Sequence, residues 1–453
     1  MPRRYIDYSL VVVTGVALGC GEVRDANPDG GAPPDAHPDT DAGGASDAAT
    51  RPQASAAHST ISGEEGVVAD GDATAEIEIE LLDDAGEPVP GIVPEFSASG
   101  EGNTYETCSE SDASGTSTCE MSTTEGGEKL LEITEPVSVS GDAITFLFEC
   151  VDEAGVEFGG GEGDADDPYR LCVPEHLQGI AHGTAYLDSS FVVARDIDMQ
   201  EIANFVPIGN TSDRFVGELD GQGFTISNLT IDRPSTDDVG LFGATGEDAV
   251  IENVVLVDID VSGNQQVGGL AGSSRGLISD SAVTGVIEGA ESEIRTGGLA
   301  GLVTGGGEVE RCFADGTVSG GEFVGGLVGH QGSSIVRDSY STAEVSGEDR
   351  VGGLTGTMSG SGEQEIYNSY AAGPVAGDEE RVGALVGRSL AGTTVEASYW
   401  DEDTATVTES AEGDPLDTES FDSEEPFDWD FDDVWTIGEA PDGVTRPILQ
   451  WQE

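Results

Sequence analysis

Val267-Gly268-Gly269-Leu270-Ala271-Gly272 returns as Thr296-Gly297-Gly298-Leu299-Ala300-Gly301, Val324-Gly325-Gly326-Leu327-Val328-Gly329, Val351-Gly352-Gly353-Leu354-Thr355-Gly356 and Val382-Gly383-Ala384-Leu385-Val386-Gly387, with a shortened first copy at Val239-Gly240-Leu241-Phe242-Gly243. The leucines at 241, 270, 299, 327, 354 and 385 mark spacings of 29, 29, 28, 27 and 31 residues. A unit that short, a few β-branched strands between Gly, Asp, Asn and Ser, cannot bury its own apolar face and must stack on its neighbours. Coils stacked about 4.8 Å apart give each strand two parallel neighbours and close a narrow core. The repeat therefore predicts a parallel β-helix, right-handed by the usual hand of parallel crossovers. Its glycines are expected to turn the backbone through positive φ and let it approach the next coil.

Aligning the copies exposes further columns. Ile251, Ile278, Val309, Val336, Ile366 and Val395 form an aliphatic ladder, and three places on lie Val254, Ser281, Cys312, Ser339, Ser369 and Ser398. Cys312 thus replaces a serine and reads as a small buried thiol. The adjoining column is Val255, Ala282, Phe313, Tyr340, Tyr370 and Tyr399. It is either packing or an exposed sugar-binding stripe. Asp280, Asp338 and Asn368 mark a bend between the ladders, so parity along one strand does not assign the faces.

Composition narrows the partners. Asp and Glu number 89 against 17 basic residues, the net charge is −72, and Lys129 is the only lysine. Counterion release needs cations the chain lacks, so nucleic acid and anionic membrane surfaces are repelled. Cationic partners, divalent ions and a salty medium stay open. The acidity reads either as a solvated surface suited to high salt or as a dedicated acidic binding face. With 66 glycines and 6% aromatic residues, turn-rich β structure is expected rather than large helical cores.

At the N-terminus Arg3 and Arg4 precede a short apolar run from Leu10 to Leu18, and Ala17-Leu18-Gly19-Cys20 closes it. This segment resembles a bacterial lipoprotein signal peptide over residues 1–19. The resemblance implies cleavage before Cys20, lipidation of Cys20, and, with Gly21 rather than Asp following, residence in the outer membrane, with a periplasmic or an outward orientation, exposed on the cell surface, both open. No other segment reaches the roughly 18 apolar residues of a spanning helix. Residues 20–65 are dominated by Asp, Ala, Gly, Pro and Ser and are expected to be a disordered tether.

Five cysteines then remain for an oxidising compartment. A two-residue loop at Ala113-Ser114 opposes Cys108 and Cys119, which predicts a cross-strand disulfide. Cys150 and Cys172 bracket a Gly- and Asp-rich stretch and are expected to staple two domains. There is no Cys-x-x-Cys, and the histidines at 37, 58, 176, 182 and 330 are scattered, which argues against zinc. No cofactor is implied. Asp-x-Asp pieces of the tether leave weak calcium binding open, and Gly160-Gly161-Glu162-Gly163-Asp164-Ala165 resembles a calcium-binding β-roll nonapeptide in one imperfect copy. A plain linker over 151–168 is the expectation.

Residues 66–150 alternate as strands do, Ala75, Ile77, Ile79 and Leu81 against Glu76, Glu78 and Glu80. Turns at Asp84-Ala85-Gly86-Glu87-Pro88-Val89-Pro90-Gly91 and Asp112-Ala113-Ser114-Gly115 separate about seven short strands, a small sandwich. The run resembles the immunoglobulin-like domains of bacterial invasins and intimins, commonly stalk spacers. Farther on, Leu219-Asp220-Gly221-Gln222-Gly223, the G-G-L-x-G copies, Asn368-Ser369-Tyr370 and Tyr399-Trp400-Asp401 occur in order, and residues 169–453 resemble the GLUG-motif family of bacterial surface proteins. Pro174 to Ala181 reads as a short helix capping one end of the β-helix. The tail with Trp429, Phe431, Trp435 and Trp451 is expected to cap the other, beyond core repeats at 238–400.

The expected fold class is therefore all-β, an Ig-like sandwich followed by a right-handed parallel β-helix. The expected function is a non-catalytic, lipid-anchored surface protein presenting an acidic β-helix to a polymer or protein partner. The alternative is a β-helix polysaccharide lyase or hydrolase. Lyases need a strong base beside a neutralising cation and hydrolases a paired carboxylate acid. The repeats hold no lysine, and His330 stands alone in its loop. No catalytic residue is assigned.

Overall fold

A computed structural model describes residues 53–69, 71–151, 158–290, 294–378 and 381–452. The expected signal peptide, Cys20 and the first part of the tether lie outside these residues. In the sandwich, Ala75–Glu80 buries Ala75, Ile77 and Ile79 and exposes its glutamates, the period of two that a half-buried strand requires. It is flanked by Thr60–Gly63 and Thr116–Ser122 in one four-stranded sheet, and Val139–Leu147 and Gly127–Glu135 are central in the other. Phe146, Leu131 and Ile133 face Ile77 and Ile79 across the core.

Two expected boundaries need correction. The sandwich starts before residue 66: Thr60–Gly63 pairs antiparallel with Ile77–Glu80, and Ile61 is buried. A single isoleucine among Ala and Ser residues is too weak a pattern to lift that strand out of the tether's composition. The described part of the 151–168 linker is also built in. Val151 N donates to Gly159 O and Gly159 N to Arg170 O. Phe158 packs among Tyr169, Tyr186 and Phe191, with ring centroids 4.8–5.5 Å apart. Composition hid this because one aromatic anchors a segment otherwise dominated by Gly, Asp and Glu.

From Tyr169 the chain winds into four parallel ladders. The first is nine-stranded, from Tyr169–Leu171 to Thr393–Glu396. In it Ile251, Ile278, Val309, Val336, Ile366 and Val395 are successive register partners. The helix Pro174–Ile180 buries Leu177 and Ile180 in the solenoid core, next to the first of these strands. A bend follows, with positive φ at Asn253, Asp280, Arg311, Asp338, Asn368 and Ala397. Next come the sheet holding the aromatic column, a five-stranded corner sheet from Gln266–Gly268 to Val382–Gly383, and a six-stranded sheet from Phe242–Ala244 to Val386–Ser389. The motif leucines lie inside with no exposed surface. Their backbones link in register: Leu270 N donates to Leu299 O, Leu299 N to Leu327 O and Leu327 N to Leu354 O, at 2.9–3.0 Å.

The motif's doublet glycines do not adopt positive φ, contrary to expectation. They are required by close approach alone. A Cβ on Gly326 would lie 2.1 Å from Gly353 O, and one on Gly353 2.1 Å from Ala384 O. Ala384 fills the corresponding place in the last copy, after which no repeat follows.

The serine column is a buried hydroxyl ladder. Ser339 Oγ donates to Arg337 O (2.7 Å) and accepts from Cys312 N (3.1 Å), and Ser369 and Ser398 repeat the pattern. These bonds satisfy backbone groups at the bend, where the chain leaves one ladder and enters the next. Cys312 sits in register, its thiol donating to Glu310 O (3.2 Å), and burial pushes it up to about 12.

Candidate functional site

Outward from the core, the aromatic column is covered. Phe313 and Tyr340 stack at 5.1 Å and Tyr340 and Tyr370 at 4.8 Å, with nearly parallel rings. Tyr340 and Tyr370 have no exposed surface because the C-terminal segment lies over them. Its tryptophans tie onto three of the bends: Trp451 Nε1 donates to Arg311 O (3.0 Å), Trp435 Nε1 to Asp338 Oδ1 (3.4 Å) and Trp429 Nε1 to Ala397 O (2.8 Å). Tyr370 OH donates to Pro447 O (2.8 Å) and Tyr340 OH to Gln452 Oε1 (3.0 Å). Arg446, fully buried in the strap, pairs with equally buried Asp401 at 2.5 Å.

The tail is therefore a strap along the side of the solenoid and not its end cap. The end is closed instead by residues 402–416. Asp414–Leu416 pairs with Tyr399–Asp401, Ala384 N donates to Glu409 O, and Leu385 N donates to Ser410 Oγ. The strap's aromatic residues match the outward column, which explains why they are so many in a chain otherwise poor in aromatics.

His330 is the histidine of the repeat loops. Arg295 Nε donates to its Nδ1 (3.0 Å), while Nε2 lies 2.8 Å from Ser359 Oγ and 3.2 Å from Ser359 O. A guanidinium only donates, so Nδ1 holds the lone pair and Nε2 carries the proton. A base activating Ser359 needs the reverse arrangement. Burial first, and then Arg295, lower this imidazole to about 4, so it is neutral at neutral pH. The pair is a structural contact next to Phe323, whose ring carries Arg350 at 4.4 Å and Arg295 at 5.4 Å.

Beside the first coils and the sandwich lies a cavity of about 560 Å³ lined by Glu218, Asp220, Asp280, Phe148 and Trp451. Next to these carboxylates, burial and then repulsion from Asp220, Glu218 and Asp280 raise the Glu252 carboxyl. Among the described residues no group of three His, Cys, Asp or Glu is placed to hold a metal ion.

The six-stranded sheet differs from the rest of the solenoid. Residues 239–246, 267–276, 296–307, 324–335, 351–360 and 382–391, which build it and its corner, contain no Asp or Glu. Acidic residues fill 89 of 453 positions, so about twelve would fall in those 62 positions at random. Its outward residues include Ser273, Leu302, His330, Thr357 and Arg388, successive partners down the ladder. Sequence analysis overlooked this face, although the signal is legible as acid-free windows recurring with the period of the repeat.

The structure joins Cys108 to Cys119 and Cys150 to Cys172, with Cα atoms 4.2 and 6.1 Å apart, and leaves Cys312 free and buried. Ser109 N donates to Thr118 O in the register that opposes Cys108 and Cys119, whereas Thr104 and Tyr105 pair one residue off it, with Ser122 and Met121. The second bond ties the sandwich's last strand to the start of the solenoid, near Arg170, which lies 5.6 Å from the Phe148 ring.

With the coils laid out, comparison with known proteins is direct: residues 292–319 match the family described as the GLUG motif. The chain carries the GLUG motif. The match spans the strands Arg295–Gly297, Ala300–Thr304, Glu308–Glu310 and Phe313–Ser319, one full GLUG coil. Halomucin of Haloquadratum walsbyi is 35% identical over 264 residues, covering 55% of this chain and 3% of halomucin. A protein of Evansella cellulosilytica named as a Gly-rich membrane protein is 28% identical over 387 residues, covering 62% of this chain and 44% of its own. The chain thus spans less than half the length of either relative. Among solved structures, invasin, described as a bacterial integrin-binding protein, overlaps 23% of this chain and 22% of its own at 20% identity and a TM-score of 0.20. IgA1 protease overlaps 82% of this chain and 32% of its own at 13% identity and a TM-score of 0.41. Such scores say nothing of partners or activity here.

Proposed function

We propose that this GLUG-repeat protein is a non-catalytic module of the cell surface, and that its acid-free sheet binds an extended partner, a polymer of the surface or matrix. The observation that carries the reading is that sheet: on a chain of net charge −72, one continuous parallel sheet is free of carboxylates along every coil. Its outward side chains are half-buried or buried, with Leu302, His330 and Arg388 reaching the surface, and a carboxylate-free strip there does not repel an anionic polymer as the rest of the chain does. A regular ladder of uncharged and basic side chains suits a ligand that itself repeats. Lipidation at Cys20 would tether the chain to the outer membrane, with the sandwich as spacer. The relatives, one named a mucin and the other a membrane protein, support a surface location. The reversed polarity of the His330 and Ser359 pair supports binding without turnover.

The test is a glycan and matrix array probed with the full chain, followed by an assay for released polymer ends. Retention without cleavage is expected. Reproducible cleavage abolished by removing one repeat carboxylate would make the carbohydrate-active alternative correct.

A further inference from the structure

Six arginines of the solenoid are paired with acids and several others are not. Arg170, Arg311, Arg337, Arg350, Arg381 and Arg446 each hold a carboxylate within ion-pair distance. Arg214 and Arg275, at the start of the acid-free sheet, hold none among the described residues. Arg195, Arg233 and Arg388 also lack one, bonding elsewhere or standing apart, but only Arg214 and Arg275 lie near enough to each other to repel.

Their placement follows from the stacking. Phe215 bridges to Thr245 and Ala244 pairs with Ser273, so Arg214 and Arg275 sit two coils apart, about 9.6 Å along the axis. The intervening coil carries only Ala244 and Gly246 on that side, which leaves room for a long side chain to lie across it. Arg214 does so: its Nη1 donates to Thr245 O (3.0 Å). Arg275 meets the same residue from the next coil, its backbone N donating to Thr245 Oγ1 (3.3 Å). The Arg275 stem lies against Gly305, where a Cβ would come within 3.3 Å of its Cγ and Cδ, and its Nε is buried with no hydrogen-bond partner. Burial, and then the charge of Arg275, hold Arg214 below the ordinary arginine range, and Asp238 offsets this only in part.

We propose that Arg214 and Arg275 form a subsite for a single oxyanion, the carboxylate or sulfate monoester of a sugar in the polymer that the acid-free sheet binds. The identity of the polymer rests on the function proposed above, and the anion does not. Guanidinium donors match a planar carboxylate or a sulfate face and make charge-assisted bonds stronger than neutral ones. Two guanidiniums suit a sparsely charged polymer. A duplex nucleic acid, with one charge per about 1.7 Å of axis, requires a dense cationic surface and is repelled by the rest of the chain.

The test uses arginine side-chain ε-NH resonances of the full chain, titrated at constant ionic strength with sodium galacturonate, galactose 6-sulfate or inorganic phosphate. Saturable shifts at Arg214 and Arg275 are expected with one of the sugar anions, half-saturating on the order of 1 mM. Arg275→Gln is expected to weaken that response about tenfold or more, whereas Arg195, which lies off the acid-free sheet, drifts linearly with each salt. Shifts at Arg214 and Arg275 no different from those at Arg195, or a response to phosphate as strong as to the sugars, would overturn the subsite. Retention of a polymer on the array that Arg275→Gln leaves unchanged would also overturn it while sparing the functional reading. Saturable shifts without retention of any polymer would do the reverse.

Discussion

Two outward columns on sheets of one solenoid, Phe313-Tyr340-Tyr370-Tyr399 and Ser273-Leu302-His330-Thr357, obey the same stacking rule and end differently. The first is a ladder of rings that the chain covers with its own strap, tied by three indoles to three bends. Along the second the carboxylates are gone, Leu302 and His330 are half-buried, Ser273 and Thr357 are buried, and no strand or helix among the described residues packs over it. The difference teaches that a stacked aromatic column on a solenoid is not by itself a binding stripe. Large apolar surface facing outward is costly to leave wet and acquires a cover. A face left open is instead built from residues that tolerate water and still differ from the surrounding charge.

The sharpest way to break this comparison is to cut into each column. Trp435, with no exposed surface, should cost about 3–5 kcal/mol as Trp435→Ala, read as a lower chemical-denaturation midpoint. A smaller loss would mean the strap is laid on rather than packed. Gly326→Ala, which places a methyl 2.1 Å from Gly353 O, should cost about 3 kcal/mol, because the obstacle is backbone. If it were tolerated within experimental error, the close-approach account of the doublet would be wrong.

His330 sharpens the comparison through pH. Its folded-state pKa, about 4, lies below the unfolded value near 6.5, so the folded state binds this proton less readily. Stability from the neutral ring is complete above the unfolded value and falls as pH drops from about 6.5 towards 4. Between pH 7 and 5 wild type should lose about 2 kcal/mol more than His330→Gln, measured by denaturation at each pH. Equal losses would show the ring to be freely solvated. The smallest effect is expected at Leu302→Ser on the open face, within about 0.5 kcal/mol, since that side chain is only partly buried.

Much of the fold was legible. The leucine, aliphatic, serine and aromatic columns aligned by sequence are the register partners in space, because a solenoid turns each column into one line of contacts. The bend residues were legible where they are Asp or Asn, the types that tolerate positive φ, and illegible at Arg311 and Ala397, where the fold imposes it. The faces were not, since a bend between ladders breaks the strand parity that would assign them. The strap escaped because its contacts join positions such as Tyr340 and Gln452 that lie 112 residues apart. The acid-free sheet was visible only as a missing residue type.

Whether the open sheet is the binding face is settled most directly by a matched pair of charge insertions scored on the polymer array. Leu302→Glu places a carboxylate on the acid-free sheet, and Thr394→Glu places one on the first ladder, which already carries acids. Retention of the polymer should fall at least tenfold for Leu302→Glu and stay at the wild-type level for Thr394→Glu. Equal retention by both variants, or loss with Thr394→Glu alone, would contradict the account.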